Sequence, residues 1–213
     1  LDKPFLLFLG DIYFVAPRLH DMIALFEGEQ ADAVLAAIDE HDPAAIRRNF
    51  CIVTDDAGKA LRVIEKPRQP RSTIKGVGLY LFRPSIFDAI RRTPRTAMRD
   101  EYEITDSIQI YIDDGYDTRV ALCVEKDRNV TSPPDLWEIN MEALARLGSD
   151  LYCGEGCDLA DGVEVRHSVL GSQVRVGAGA RIVDSVVFRE VCVPAGARIE
   201  RAIVTENGVL RIG

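Results

Sequence analysis

The sequence predicts an α/β domain that is followed by a parallel β-helix. Residues 5–9 are a continuous apolar run, residues 19–26 carry apolar side chains at helical spacing, and the segment ADAVLAAI is apolar again. This order is typical of a strand, a helix and a second strand. After residue 150, apolar residues instead recur at intervals of five or six. We therefore expect two domains, residues 1–147 and residues 148–213.

Within the first domain, local patterns predict the individual elements. The run at residues 5–9 ends in Gly-Asp and fits a strand that is buried on both faces of a parallel sheet. Two apolar runs around a glycine turn predict a hairpin between Phe50 and Glu65, and GVGLYLF predicts a further strand. Thr105 is a candidate N-cap of a helix that stops at Gly115. Ser132 and the proline after it open the last helix.

The C-terminal segment has a repeat of 17 residues. Its periodic apolar positions are Val165, Leu170, Val176, Ile182, Val187, Val193, Ile199, Val204 and Leu210. Three short strands per coil then place Val176 under Val193, and Val193 under Leu210. Ile182 lies under Ile199 in the same way. Because an open coil end exposes unpaired backbone, we expect more chain or another subunit to cover the end at LRIG.

Composition excludes several classes of function. The chain has 213 residues, 47% of them hydrophobic, a formal charge of −8 and a pI near 5.0. An acidic surface does not favour nucleic acid or an anionic membrane as a partner. The chain has no apolar run long enough to span a membrane and no signal-peptide pattern, which predicts a cytoplasmic protein. Five cysteines without a CxxC pair indicate reduced thiols rather than a metal site.

The order of several short motifs resembles the sugar-1-phosphate nucleotidyltransferases over nearly the whole chain. The motifs are LFLGDIYF, RVIEKPRQP, GVGLYLF, EYEITDSIQIYI, NVTSPPDLWEIN and then the hexapeptide coils. The likeness is to the glucose-1-phosphate thymidylyl- and uridylyltransferase type. It implies a Rossmann-like mixed sheet followed by a left-handed β-helix of hexapeptide repeats. It also implies Mg²⁺-dependent transfer of a nucleotide from dTTP or UTP to glucose 1-phosphate, with release of pyrophosphate and no covalent intermediate.

The resemblance assigns roles to the motif residues. Asp11 would bind Mg²⁺, although an aspartate in this position also suits the N-cap of a following helix. Lys66 would hold the phosphate of the sugar and Glu65 the sugar hydroxyls, although a surface ion pair explains the same two residues. Asn129 would be the second metal ligand, where the family commonly has aspartate. An amide oxygen can bind Mg²⁺, but with one negative charge fewer the site should bind it more weakly.

Three residues of GVGLYLF match the strand that lines the sugar pocket in the family. They are Val77, Gly78 and Tyr80, and a plain core strand explains the apolar members equally well. A glycine in the middle of a strand indicates that something approaches the backbone closely.

The chain departs from the family pattern at two further places. Phe50-Cys51-Ile52 stands where the family has Tyr-Gly-Val, so a side chain replaces a glycine that the sugar approaches. The family's Gly-x-Gly-Thr-Arg loop and its following lysine do not occur in the chain. We therefore expect an N-terminally incomplete domain, a fragment of a longer protein, that binds nucleotide poorly.

Two other functions remain open. Asn129, Cys51 and the missing loop favour a catalytically inactive relative that serves for binding or oligomerisation. His167 lies among the hexapeptide repeats, as the catalytic histidine of hexapeptide acyltransferases does, although base rates favour an ordinary surface histidine. In each case we expect the β-helix to mediate a homo-oligomer.

Overall fold

A computed structural model describes residues 3–96 and 100–213. The chain divides into two compact units, Leu1–Asp127 and Arg128–Gly213, and each is described by itself. The expected domain boundary after residue 147 stays a prediction. In the described part of the chain, every helix is too short or too polar to cross a membrane.

The first unit consists of a mixed sheet with helices on both faces. Its elements are β1 (Phe5–Phe8), β2 (Ile12–Val15), α1 (His20–Gly28), β3 (Ala33–Asp39), α2 (Pro43–Arg48), β4 (Phe50–Thr54), β5 (Ala60–Glu65), β6 (Ile74–Phe82), α3 (Ile86–Arg92), α4 (Ile104–Asp113) and β7 (Thr118–Ala121). Strand β8 (Lys126–Asn129) lies across the boundary between the two units. The predicted hairpin is confirmed, because β4 and β5 pair antiparallel from Phe50 opposite Glu65.

The sheet is organised around β6, its longest strand. The strand order is β5-β4-β6-β3-β7, and β1 also pairs with β6. One edge of β6 is covered by β3, and the other is shared by β4, beside Lys75 and Gly76, and by β1, beside Leu79 to Phe82. Only the pairing of β3 with β7 is parallel among these contacts. The mixed α/β sheet that the sequence predicts is therefore confirmed.

Alternating side chains of the strands build two apolar layers. On one face Met22 and Phe26 of α1 pack against β3 and β6. On the other face Ile86 of α3 and Ile108 of α4 pack against the same strands. Because successive side chains of a strand point to opposite faces, one strand such as β6 contributes to both layers.

Strand β1 differs from its prediction. It pairs antiparallel with β6, and its burial alternates, so that Leu6 is 43% and Phe8 51% exposed. Within the described residues, β1 has one paired strand, β6, and one of its faces packs in the apolar layer under α3 and α4. The prediction of a parallel strand buried on both faces is wrong, because an apolar run does not specify which strand will pair with it.

Helix α4 begins two residues earlier than expected. Glu103 is the N-cap and Ile104 the first helical residue, so the prediction that Thr105 is the N-cap is wrong. The buried Thr105 hydroxyl instead donates to Glu65 Oε2 at 3.3 Å. The predicted end is confirmed, since Gly115 follows the helix with a φ of 90°.

The second unit combines one helix with a parallel β-helix. Helix α5 (Pro133–Arg146) starts after the N-cap Ser132, as predicted. The strands are β9 (Leu151–Cys153), β10 (Asp158–Leu159), β11 (Glu164–Arg166), β12 (Ser168–Leu170), β13 (Arg175–Val176), β14 (Arg181–Val183), β15 (Val186–Val187), β16 (Cys192–Val193), β17 (Arg198–Glu200), β18 (Ala202–Thr205) and β19 (Gly208–Arg211). They form three sheets, β10-β13-β16, β11-β14-β17 and β9-β12-β15-β18-β19.

The predicted stacking of coils is confirmed in the interior. Val176 is opposite Val193, and Ile182 is opposite Ile199, each in parallel register. These side chains are buried and form apolar ladders along the axis. Glycine is required where coils meet closely, because a Cβ on Gly177 would overlap the backbone nitrogen of Ala195.

The last coil does not continue as the period predicts. Strand β19 turns back and pairs antiparallel with β18, so Leu210 lies opposite Ile203 and is 49% exposed. The prediction that Leu210 stacks on Val193 is therefore wrong. The reversal occurs at Glu206 and Asn207, before a glycine, and an Asn-Gly pair is typical of hairpin turns. The described chain itself thus covers the edge of β18.

Candidate active site at one end of β6

The sheet places two of the predicted motifs beside the N-terminal half of β6. Glu65, at the end of β5, lies opposite Phe50, which in turn lies opposite Gly76. The backbone N–H of Leu9 donates to the carbonyl of Gly78 at 3.0 Å, and the turn with Asp11 follows directly. Both motifs therefore border the N-terminal half of β6, the Glu65-Lys66 pair across β4 from Gly76 and the Asp11 turn beyond the contact with Gly78.

Asp11 lies exposed in the turn between β1 and β2. After it the chain enters β2, and the N-cap of α1 is Leu19, so the alternative that Asp11 caps the following helix is wrong. Its carboxylate has no hydrogen bond or ion pair with any residue that the structure describes. An exposed carboxylate in a tight turn can accept a hard cation without breaking another contact.

Lys66 and Glu65 form a partly exposed pair at the end of β5. The Lys66 Nζ is 3.7 Å from Glu65 Oε1, and 44% of the lysine side chain is exposed. Lys66 has a φ of 39°, and its backbone N–H donates to the carbonyl of Asn49 at 2.7 Å. This unusual backbone conformation fixes the direction in which the side chain leaves the strand. The ion pair and the substrate role are compatible, because the ammonium remains open to solvent.

Gly78 adopts a φ of 73°, and the close approach to it comes from two side chains. A Cβ on this residue would lie 2.7 Å from Ile12 Cδ1 and 2.8 Å from Leu9 Cδ1. The glycine therefore allows the end of β1 and the start of β2 to pack against β6. This contact holds the intervening Asp11 turn in place.

Val77 and Tyr80 both lie in the core. Val77 belongs to the layer under α1, and Tyr80 packs between the rings of Phe50 and Phe82, with centroids 6.3 and 5.6 Å away. Burial raises the pKa of Tyr80 far above its usual value, and the charge of Glu65 adds to the effect. Its hydroxyl is buried and has no hydrogen-bond partner in the described residues. The roles of Val77, Gly78 and Tyr80 in sugar binding stay predictions.

Cys51 does not line an open pocket. It is fully buried in β4 and lies opposite Lys75 of β6. The neighbouring Phe50 ring occupies the space in which a Cβ on Gly76 would lie. The departure from the family's Tyr-Gly-Val therefore changes the packing beneath this end of the sheet.

A buried cluster of three charged side chains has no counterpart among the features predicted from the sequence. The Lys75 Nζ is 2.6 Å from Asp127 Oδ1 and 3.6 Å from Glu40 Oε2. Only 5% of the lysine side chain and 4% of the Asp127 side chain are exposed. Lys75 precedes Gly76, so the cluster lies at the same end of β6 as the predicted site. No local signal identifies it, because its three members come from distant parts of the chain.

Beside this cluster lies a cavity of about 470 Å³ in the first unit. Its lining includes Glu40, His41, Arg47 and Arg71. The two guanidinium groups have no carboxylate partner among the described residues, so they can attract an anionic ligand. The basic segment that follows Lys66, PRQPR, is the only sequence signal for this cavity.

Asn129 ends β8 and belongs to the second unit by its packing. A metal site that it shares with Asp11 therefore stays a prediction. Among residues 3–96 and 100–213, no three His, Cys, Asp or Glu side chains converge to hold a metal. A carboxylate and an amide oxygen are nevertheless suitable for Mg²⁺, which usually keeps several waters and binds substrate phosphates besides one or two protein ligands.

His167 belongs to a polar corner of the β-helix. Its Nδ1 is 2.6 Å from Asp184 Oδ1, and the Trp137 Nε1 donates to the carbonyl of Asp184 at 2.7 Å. His167, Asp184 and Arg201 follow each other at the repeat spacing, and all have positive φ. The histidine thus occupies a regular structural position, although 43% of its side chain is exposed.

Comparison with known proteins agrees with these features. Residues 1–146 match the family described as Nucleotidyl transferase, and residues 145–213 match that described as GlmU-like, C-terminal hexapeptide. The chain is 32% identical over 193 residues to a glucose-1-phosphate thymidylyltransferase of Streptomyces griseus, which covers 86% of the chain and 52% of the relative. It is 36% identical over 115 residues to the UTP–glucose-1-phosphate uridylyltransferase AglF of Haloferax volcanii, covering 54% of the chain and 46% of that protein.

A relative of lower identity carries the name GlmU, which also occurs in the description of the second family match. The bifunctional protein GlmU of Methanococcus aeolicus is 27% identical over 152 residues, covering 71% of the chain and 34% of that protein. The chain thus spans about half the length, or less, of the curated relatives that it matches. Both of its parts nevertheless match a family, the nucleotidyl transferase domain and the hexapeptide tail. The chain belongs to the sugar-1-phosphate nucleotidyltransferase family.

Proposed function

We propose that this protein transfers a nucleoside monophosphate from a nucleoside triphosphate to a sugar 1-phosphate. A phosphate oxygen of the sugar attacks the α-phosphorus, a new P–O bond forms, and the bond between the α-phosphorus and the bridging oxygen breaks to release pyrophosphate. The observation that carries the proposal is that the Asp11 turn and the Glu65-Lys66 pair both border the N-terminal half of β6, within a domain of this family.

Different residues of the chain then position the sugar phosphate, the sugar hydroxyls and the metal ion. The ammonium of Lys66, still open to solvent, binds the sugar phosphate, and the carboxylate of Glu65 accepts hydrogen bonds from sugar hydroxyls. Asp11 and Asn129 would hold Mg²⁺, which when bound neutralises charge that builds up on the leaving pyrophosphate. Fixed charges around two anions favour the reaction because they need no reorganisation as it proceeds.

Pyrophosphate release tests the proposal. Protein translated from its complete reading frame is assayed with a panel of sugar 1-phosphates and triphosphates in the presence of Mg²⁺. Asp11→Ala should abolish release, and Lys66→Met should raise the KM for the sugar. The matched control is Asp56→Ala, an exposed aspartate in the turn between β4 and β5. Release that persists in Asp11→Ala would refute the assignment.

For the substrates, we propose glucose 1-phosphate with dTTP or UTP. The support is that relatives of the chain carry the names glucose-1-phosphate thymidylyltransferase and UTP–glucose-1-phosphate uridylyltransferase. The same assay panel tests the choice. A preference for another sugar or for ATP would contradict it while leaving the reaction class intact.

Two alternatives have specific support. Asn129 in place of an aspartate favours a catalytically inactive relative. A protein that released no pyrophosphate in the assay above would support this alternative. The 2.6 Å contact of His167 with Asp184 is the kind that orients a general base, which favours acyl transfer. Acetyl transfer from acetyl-CoA that is lost in His167→Ala would establish that reaction.

We also propose that the β-helix mediates a homo-oligomer. In support, the second unit has a cavity of about 580 Å³ beside the exposed apolar side chains of Phe188, Val209 and Leu210. Exposed apolar surface around a concavity is typical of interaction sites. Sedimentation equilibrium should show association that Leu210→Asp abolishes. A monomer at all concentrations would refute the proposal.

A further inference from the structure

One face of the β-helix carries a concentration of arginines that the proposed reaction does not use. Arg181 of β14 lies opposite Arg198 of β17 in parallel register. Arg211 of β19 joins them around a cavity of about 370 Å³, which is also lined by Val183, Ile199 and Glu200. All of these residues belong to the second unit.

The charges in this cavity are not balanced. Arg181 has a carboxylate partner, since its Nε is 3.2 Å from Glu164 Oε2. Arg198 and Arg211 have no hydrogen bond or ion pair with any residue in the described part of the chain. Glu200 does not pair with either of them within salt-bridge distance there. Three arginines but one carboxylate, that of Glu200, therefore line the cavity itself.

Like charges on neighbouring strands destabilise a sheet, since such strands lie about 4.8 Å apart. The arrangement of Arg181 above Arg198 thus costs free energy unless an anion lies between the side chains. A cluster of unbalanced positive charge is unusual in a chain whose formal charge is −8. A basic cavity on an acidic protein attracts small anions selectively, because the low-dielectric walls focus its field.

We propose that this arginine cavity binds a small phosphate-bearing anion of the phosphate or pyrophosphate class. Guanidinium groups bind phosphate oxygens through paired N–H donors, which suits Arg198 and Arg211. The concave shape favours a small ligand over a flat protein surface, and the volume is at the lower end of the range for ligand pockets. The inference is independent of the proposed reaction.

The test is calorimetric titration of the full chain with sodium pyrophosphate and with sodium phosphate, without Mg²⁺ and at two salt concentrations. The double variant Arg198→Gln/Arg211→Gln should weaken binding about tenfold or more, since it removes charged hydrogen bonds. The matched control is Arg189→Gln, an exposed arginine of the same unit outside the cavity, which should bind within about twofold of the original. Arg198→Lys keeps the charge but loses the paired donors, and we expect an intermediate loss.

Circular dichroism checks that the variants keep their fold, which we expect because the substituted side chains are exposed. Pyrophosphate binding that is equal in the double variant and the original would overturn the proposal, since the anion would then bind elsewhere. Failure of the original protein to bind either anion would overturn it too. A salt-sensitive dimer that dissociates in the double variant, without pyrophosphate binding, would assign the cavity to an acidic surface of a second copy.

Discussion

The register of strand pairing is determined differently in the two units of this chain. In the β-helix, each buried side chain lies on its equivalent 17 residues away, so the repeat itself determines the pairing. In the first unit, β6 pairs with three strands from distant parts of the sequence, and its start is held by a buried lysine between two carboxylates. Register that follows from a repeat can be predicted locally, whereas register that depends on distant partners cannot.

The comparison also separates two kinds of packing. The interior of the β-helix is a set of aliphatic ladders. When one of their side chains is shortened, the free energy of unfolding falls in proportion to the buried apolar area that is lost. The end of the first unit's sheet combines apolar layers with a desolvated ion pair. Breaking such a pair costs more than replacing it altogether, because one buried charge is left without a partner.

The largest effect is expected from Lys75→Met. It leaves the Asp127 carboxylate buried and uncompensated, and should lower the free energy of unfolding by about 3–5 kcal/mol. Adding Asp127→Leu should recover most of the loss, because the charge is then removed together with its partner. Urea denaturation measures both variants. A double variant no more stable than Lys75→Met would show that the pair is not the origin of the effect.

In the β-helix, Ile182→Ala should destabilise by about 2–5 kcal/mol, since it opens a cavity between Val165 and Ile199 in the ladder. Leu147→Ala removes an exposed aliphatic side chain of the same unit outside the proposed oligomer surface and should change stability by less than about 0.5 kcal/mol. Hydrogen exchange should show faster exchange in β11, β14 and β17 for Ile182→Ala. Equal effects of the two substitutions would contradict the ladder description.

Gly177→Ala tests the spacing of the coils. Its Cβ would overlap the backbone nitrogen of Ala195, so the two coils must separate, at a cost of about 1–3 kcal/mol. The change is expected to be smaller than that of Ile182→Ala, because the coils can shift locally. Thermal unfolding measures the change, and Ala178→Ser at the adjacent exposed position is the control. A neutral Gly177→Ala would show that the stacking tolerates a wider gap.

The smallest effect concerns acid stability at the start of α5. Hydrogen bonds from Ser132 and Thr131 lower the pKa of Asp135 in the folded protein. The contribution to stability is therefore complete above the unfolded pKa of about 3.9 and is lost as the pH falls through the folded value. Asp135→Asn should reduce the loss of stability between about pH 5 and pH 2. An unchanged pH profile would show that another carboxylate dominates acid unfolding.

The sequence predicts those features that depend on neighbours in the chain. The hairpin from Phe50 to Glu65 and the stacking of Val176 on Val193 both follow from local turns or from the repeat. Leu210 has the right spacing for the next coil, yet the Asn-Gly pair before it reverses the strand, and this turn signal outweighs the period. The Asn-Gly pair is the local sequence signal for this hairpin.

The candidate site shows the same limit. The position of Asp11 follows from the motif, but the contact of Gly78 with Leu9 and Ile12 depends on how β1 and β2 pack on β6. The cluster of Lys75 with Asp127 and Glu40 joins residues that no periodicity relates. Tyr80 matches the sugar strand by its motif, whereas the fold buries it, because alternation in β6 directs it into the layer under α3 and α4.

The most direct test of the proposed chemistry is a crystal structure with Mn²⁺, sugar 1-phosphate and triphosphate, in which anomalous scattering locates the metal. We predict a metal ion bound by Asp11 Oδ and by the amide oxygen of Asn129 at about 2.1 Å, with phosphate oxygens completing its coordination. A metal bound elsewhere, with Asp11 in contact with solvent only, would contradict the assignment of this end of β6 as the active site.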